Sequence, residues 1–265
     1  MYHQRSTPVD SAALRSGKRR GGRGAGPAPP QPPEGPGAPA TRKATMWETS
    51  EAAFRVNPYI RWQYDHPAHL LPHPTREALE ARRAQAPGAG LHLELGSGSG
   101  NFLLELARLH PRDHVLGFEL RYKRLVKAAV KLEKAGLTNV WVLREQGERF
   151  PDYVDGGSVD AIHVNFPDPW PRASQWKKRL VSAHLLDAVE RALKPGGTFH
   201  LKTDHSGYFL HVLELCGRRH ALKISFFSND LRRKWPPGAR IRSEFEQMFS
   251  AKQKPVFSLI LEKAA

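Results

Sequence analysis

The stretch "LHLELGSGSGNFLLELARLH", residues 91–110, decides the fold. Its first five residues read as a short strand, the glycines as a turn, and "GNFLLELARLH" as a helix with apolar residues at helical spacing. A strand that feeds a helix through glycines is the opening unit of an open α/β sheet. The same alternation continues along the chain. Strands are predicted in "HVLGFEL" (114–120), "NVWVLRE" (139–145), "VDAIHVNF" (159–166) and "TFHLKTD" (198–204). Helices are predicted in "YKRLVKAAVKLEKAG" (122–136), with Gly136 at its C-terminal end, "SAHLLDAVERALKPGG" (182–197) and "GYFLHVLELCGRRH" (207–220). The closing segments "ALKISFFS" and "PVFSLILEK" are expected to pair antiparallel at the end of the sheet. The fold class that follows is α/β, a doubly wound, mostly parallel sheet.

Composition bounds the rest. The chain has 265 residues and a formal net charge of +15. That length suits one α/β core plus appendages. Residues 1–45 carry net +6 and residues 46–265 net +9, so the folded part is basic in its own right. A basic domain implies a polyanionic partner, with nucleic acid the commonest soluble one. Cys216 is the only cysteine, which excludes an internal disulfide and a Cys-based zinc site, and no metal is expected. The absence of a long apolar run or a secretory pattern leads to the expectation of a cytoplasmic protein that does not span a membrane. Residues 16–40, "SGKRRGGRGAGPAPPQPPEGPGAPA", are too poor in apolar side chains to fold, so 1–45 is expected to be a disordered basic tail. Either a solvated tail or an RNA-binding arm would account for it. Residues 46–89, with a helix in "TREALEARRA" (75–84), read as a lead-in packed on the core, and 90–265 as the main domain.

The glycine loop, "ELGSGSGN" (94–101), lies where open α/β sheets bind ligands. Gly96, Gly98 and Gly100 are expected to let a ligand approach the backbone. The third glycine comes one position too early for a dinucleotide fingerprint, and the lysine of a phosphate-binding loop is missing. Instead, Glu94 precedes the loop and Glu119 ends the next strand. Glu119 is placed to accept from both hydroxyls of a ribose, and Glu94 suits a cationic amine. Adenosine, a cationic amine and no phosphate describe S-adenosylmethionine. Gln146 is a candidate for the adenine edge, with Glu145 an equal local choice.

"VNFPDPWPR", residues 164–172, sets Asp168 between two prolines and beside Trp170, directly after a strand. The prolines restrict where the carboxylate points. The following "ASQWKKR" interleaves Lys177, Lys178 and Arg179 with Trp176, a composition that suits phosphates and a splayed base. "KTD" (202–204) brings a second carboxylate, Asp204, to the end of a strand. In "RSEFEQMF" (242–249), Ser243 to Glu246 is either a helix-starting box or a binding segment.

With "LELGSGSG", "GFE", "NFPDPWP", "KKR", "KTD" and "SEFE" in this order over roughly residues 90–262, the chain resembles the tRNA (guanine-N7)-methyltransferase family. The resemblance implies a Rossmann-like class I methyltransferase fold and transfer of a methyl group from S-adenosylmethionine to N7 of a tRNA guanosine, in the variable loop. It implies cofactor contacts at Glu94, Glu119, Gln146 and Asp168, the last also catalytic. It implies substrate contacts at Arg172, Asp204, Ser243, Glu244, Phe245 and Glu246, and an RNA path along Ser174, Gln175, Trp176, Lys177, Lys178 and Arg179. The chain departs from the family pattern at Arg172, where lysine is usual, at Gln146, often acidic, at Ser243, usually threonine, and in "ASQWKKR", where the family run is more basic. Two other readings stand beside this one: methylation of an exocyclic amino group, and an RNA-binding protein without catalysis.

Overall fold

Alternation within each strand sorts apolar side chains onto two faces, and helices cover both. The structure, a computed structural model, describes residues 51–217, 219–236 and 241–265. The expected tail, residues 1–45, and the start of the lead-in lie outside them. In chain order the elements are α1 (Glu51–Val56), α2 (Tyr59–Trp62), β1 (Leu70–Leu71), α3 (Arg76–Arg83), β2 (Leu91–Leu95), α4 (Asn101–Leu109), β3 (His114–Phe118), α5 (Tyr122–Lys134) and β4 (Val140–Leu143). A 3-10 helix (Gly147–Tyr153), β5 (Val159–Asn165), a second 3-10 helix (Ala173–Lys178), α6 (Ala183–Ala192), β6 (Leu193–Thr203), α7 (Ser206–Cys216), β7 (Leu222–Ser228), α8 (Glu244–Ala251) and β8 (Phe257–Lys263) follow.

The sheet order is β1-β4-β3-β2-β5-β6-β8-β7. Strands β1 to β6 pair in parallel, while β8 runs antiparallel between β6 and β7. The expected antiparallel pair forms, with β8 inserted inside β7. The order reverses at β2, so β2 and β5 flank the crevice in which such sheets bind ligands.

Leu91, Leu93 and Leu95 join Leu116, Phe118, Ile162, Val164, Phe199 and Leu201 in one buried cluster, beneath α6 and α7. On the opposite face Val115, Val140 and Val142 pack with Leu103, Leu106, Leu125 and Ala129 of α4 and α5. The period of two therefore turns His92 and Glu94 away from the leucine cluster. His163 stands beside Glu94 in register, and Asn165 beside Lys202, so polar residues gather on the α4 side of the central strands.

Helix α6 ends sooner than the sequence pattern suggests. It stops at Ala192, because Pro195 disfavours helical geometry at Lys194. The segment "LKPGG" becomes the bulged start of β6, with Leu193 opposite Val159, Thr198 opposite Ala161 and Gly196 at φ +75°. Helix α5 ends as expected, Gly136 taking φ +64° just beyond its last turn. The two-residue strand β1 has no recognisable sequence pattern; its hydrogen bonds to β4 hold it.

Candidate active site

The carboxyl ends of β2 to β5 open into a cleft of about 300 Å³, whose wall includes Gly96, Glu119, Gln146, Asn165, Asp168 and Trp170. Gly96 takes φ +82°, and a Cβ built on it would meet nothing within 4 Å, so the cradle above the loop is open. Gly100 is different. Its Cβ would lie 2.7 Å from the Ala128 Cβ, so this glycine lets α4 pack on α5.

Glu94 is 2% exposed, and its Oε1 accepts from Asn165 Nδ2 at 3.0 Å. Its buried Oε2 has no hydrogen-bond partner among the described residues. Burial, and secondarily the charge of Glu119, push the Glu94 carboxyl up to about 8, against the Asn165 hydrogen bond. A buried carboxylate oxygen with no donor is placed for a cation. Glu119 accepts from the Gly98 N–H at 3.0 Å and the Arg121 N–H at 2.9 Å, one on each oxygen. Each oxygen keeps a lone pair for a hydroxyl. An open glycine cradle, a ribose-competent carboxylate and a lone buried carboxylate oxygen fit S-adenosylmethionine.

The structure separates Gln146 from Glu145. Both line the cleft, but Glu145 is buried, accepting from the Gln146 N–H, the Tyr153 hydroxyl and the Arg149 guanidinium, whereas Gln146 is exposed.

Asp168 stands on the rim, its side chain 70% exposed and 3.9 Å from Arg121 Nη2. The residues on either side of its turn, Phe166 and Trp170, have φ of +50° and +42°, a costly region for large side chains that functional turns often occupy. The Lys178 ammonium lies 4.8 Å from the Trp170 ring centre. Arg172, Ser174, Lys177 and Lys178 are exposed, and Trp176 is 43% exposed, along the second 3-10 helix. Gln175 is half-buried. Arg179 breaks this pattern: at 4% exposure it is buried beneath the turn, so its expected place on the RNA path is corrected.

Ser243 settles as a helix cap, its Oγ accepting from the Glu246 N–H at 3.2 Å. Glu246 does not complete the reciprocal box. Its carboxylate is 1% exposed and pairs with Lys202 Nζ at 2.7 Å, which leaves Oε1 buried and unpartnered. The residue expected to touch substrate is held in a buried ion pair. Glu244 accepts from Asn101 Nδ2, tying α8 to the helix that follows the glycine loop. The Phe245 ring lies 5.7 Å from that of Phe166 at the Asp168 turn. Asp204 is exposed just past β6 and does not line the cleft with Asp168.

Asn165, Lys202 and Arg121 were not singled out as ligand-side residues by their sequence positions. The only local signal is a polar residue at the end of an apolar strand. Away from the cleft, His92, His110 and Asp113 form the one metal-compatible cluster among the described residues. The His92 imidazole meets Asp113 Oδ2 through Nε2 at 3.2 Å, and its buried Nδ1 has no partner. A metal on Nε2 would strand an N–H there, against the rule that ligating histidines donate their second nitrogen's proton.

The comparisons agree with this geometry. A family model described as "Putative methyltransferase" matches residues 89–259. The tRNA (guanine-N(7)-)-methyltransferase of Geobacillus kaustophilus is 31% identical over 72% of this chain and 88% of its own length. That of Exiguobacterium sp. is 34% identical over 64% of this chain and 78% of its own. A bifunctional glycosyltransferase/methyltransferase of Fusobacterium nucleatum is 36% identical over 59% of this chain, which spans only 24% of that protein. Among solved structures, one titled "Structure of an antibiotic related Methyltransferase" has a TM-score of 0.55 at 18% identity, covering 75% of this chain and 98% of that one, a likeness of fold. The chain belongs to the tRNA (guanine-N7)-methyltransferase family.

Proposed function

We propose that this chain methylates N7 of a guanosine in the variable loop of tRNA, with Glu94, Glu119 and Gln146 holding S-adenosylmethionine and Asp168 at the reacting base. The observation that carries the reading is the buried Glu94 Oε2, without a hydrogen-bond partner among the described residues, in the strand that runs into an open glycine cradle whose other acid, Glu119, is oriented by backbone N–H groups. Residues 90–265 carry the chemistry, with 46–89 as a lead-in. No described helix is long and apolar enough to cross a membrane, and a cytoplasmic location suits an enzyme that acts on tRNA.

The bound cofactor supplies a methyl group on a sulfonium, which is transferred as its bonding electron pair returns to sulfur. Guanine N7 carries an in-plane lone pair, so no proton has to leave before the new bond forms. The protein's contribution is alignment and charge. Glu94 takes the cationic amine and Glu119 the ribose, which fixes the direction of the methyl group. Positive charge arrives on the purine, and the Asp168 carboxylate stabilises it by accepting from the N1–H and N2–H edge. Arg172, Lys177 and Lys178, with the exposed Trp176, form a basic aromatic strip beside the cleft that suits the RNA backbone and a splayed base.

The test is incubation with unmodified tRNA and methyl-labelled S-adenosylmethionine, followed by digestion to nucleosides. Label in 7-methylguanosine is expected. Label in an exocyclic methyl nucleoside would refute the position of attack. Full activity in Asp168→Asn would remove Asp168 from the mechanism.

A further inference from the structure

Arg179 ends the basic stretch, yet it faces inward. The geometry points to Arg179 as a positioning residue for methyl transfer, one that fixes the Asp168 turn by holding the Pro169 carbonyl. This inference rests on the reading of Asp168 as the residue at the reacting base.

The turn does not hold itself. Two of its residues are prolines without an N–H, and the large side chains at both ends sit at positive φ. Among the described residues, the backbone between Pro167 and Trp170 makes one hydrogen bond to the rest of the protein: Arg179 Nε donates to the Pro169 oxygen at 2.9 Å. That carbonyl belongs to the residue next to Asp168. A shift of the bond therefore moves the carboxylate directly.

The guanidinium is itself fixed in place. Its carbon lies 4.5 Å from the Trp176 ring centre and 4.9 Å from that of Tyr208. Tyr208 is fully buried, and its hydroxyl accepts from the Val181 N–H at 2.8 Å, so this wall is rigid. No carboxylate of the described residues forms an ion pair with Arg179, and its buried Nη1 has no acceptor. A buried charge without a counter-ion is costly, and an apolar side chain would fill the space at less expense. Stability alone does not account for an arginine here. A directed bond from a flat, stacked donor to the reactive turn does, and lysine cannot reproduce it, since its ammonium is a compact point charge without a planar face.

The experiment compares wild type, Arg179→Lys, Asp168→Asn and the double variant for labelled 7-methylguanosine, tRNA affinity across salt, and thermal midpoint. In Arg179→Lys, kcat should fall by about tenfold to a hundredfold, the effect of an ångström-scale misplacement. The tRNA affinity and its salt slope should stay as in wild type. In the Asp168→Asn background the same change should cost less than about twofold, because a residue that acts through Asp168 is not additive with it. Weakened tRNA binding with a salt slope reduced by about one would make Arg179 a phosphate contact and overturn the proposal. Equal losses in both backgrounds would also overturn it. Should Arg179→Lys not fold, Arg179→Gln keeps a planar N–H donor without the buried charge and is expected to give a smaller kcat loss, again absent without Asp168; a loss that persists there rejects the idea. A wild type that forms no 7-methylguanosine would take down the functional reading itself, a result distinct from an active Arg179→Lys.

Discussion

Asn165 Nδ2 donates to one oxygen of Glu94 at 3.0 Å, while the second oxygen of the same buried carboxylate has no hydrogen-bond partner among the described residues. The two residues are 71 positions apart and meet only because β2 and β5 are neighbours where the sheet order reverses. Asn165 orients the carboxylate, and the free oxygen is left for the cofactor's amine.

This arrangement gives binding a pH dependence. Burial pushes the Glu94 carboxyl up to about 8, so in the free protein it is largely neutral below that pH. A cationic amine binds the carboxylate, and affinity for S-adenosylmethionine should therefore rise from pH 6.5 to about 8, the range in which an α-amino group still keeps much of its proton. Glu94→Gln should bind more weakly and with a flat profile in calorimetry; a parallel profile would remove Glu94 from the amine site. The same shift acts on stability with a definite sign. The folded value lies above the unfolded one, so this contribution is fully present below about 4.5 and is lost as pH rises through about 8.

Two glycines of one loop should fail in opposite ways. Gly100→Ala places a methyl 2.7 Å from Ala128 Cβ and 3.1 Å from its backbone Cα, at φ +74°. Overpacking and the left-handed backbone together should cost about 2–4 kcal/mol, read by denaturant unfolding. Gly96→Ala meets no neighbour and should cost only the backbone term of about 1–2 kcal/mol, yet weaken cofactor binding by filling the cradle. Equal stability losses in the two variants would contradict the separate roles.

The Lys202–Glu246 pair joins β6 to α8 at 2.7 Å, with both side chains nearly out of solvent. Glu246→Gln strands the ammonium and should destabilise the fold by about 3 kcal/mol. The double change Lys202→Met, Glu246→Leu removes both charges and should recover most of that loss. If the single change is neutral in chemical denaturation, α8 is not anchored by this pair.

Acid should loosen the α4 side of the sheet. Burial, followed by the neighbouring His200, holds His163 well below its ordinary range, and burial with Lys202 lowers His200 to about 4. The rings stack 4.5 Å apart. Both folded values lie below the unfolded 6.5, so their contribution is present above pH 6.5 and is lost as pH falls toward 4. His163→Phe should flatten the fall in thermal midpoint between pH 6.5 and 4.5; an unchanged slope would assign the acid sensitivity elsewhere.

Much of the fold was legible because it rests on local pattern. The strand, glycine turn and helix of residues 91–110, the helix stop at Gly136, the helix in "TREALEARRA" and the antiparallel closing pair all depend on residues close in sequence or on simple periodicity. Glu119, Gln146 and Asp168 could be named as candidates for a related reason: each follows the end of a strand, as Glu94 lies near the end of another, and strand ends define the cleft. Periodicity could not place the end of α6, where Pro195 outweighed an apolar helical pattern, nor show that Gly100 serves packing.

By itself, the sequence determined the class of sheet and the alternation of its main strands and helices, because hydrophobic period and turn residues are local properties. Only the tertiary structure decided which side chains pair inside it. Asn165 with Glu94, Lys202 with Glu246 and Arg179 with Pro169 are contacts set by strand order and by the docking of helices. A basic residue in a basic run looks the same whether it faces RNA or a buried turn. One of the rings against Arg179, that of Tyr208, arrives from an element whose position no local pattern encodes.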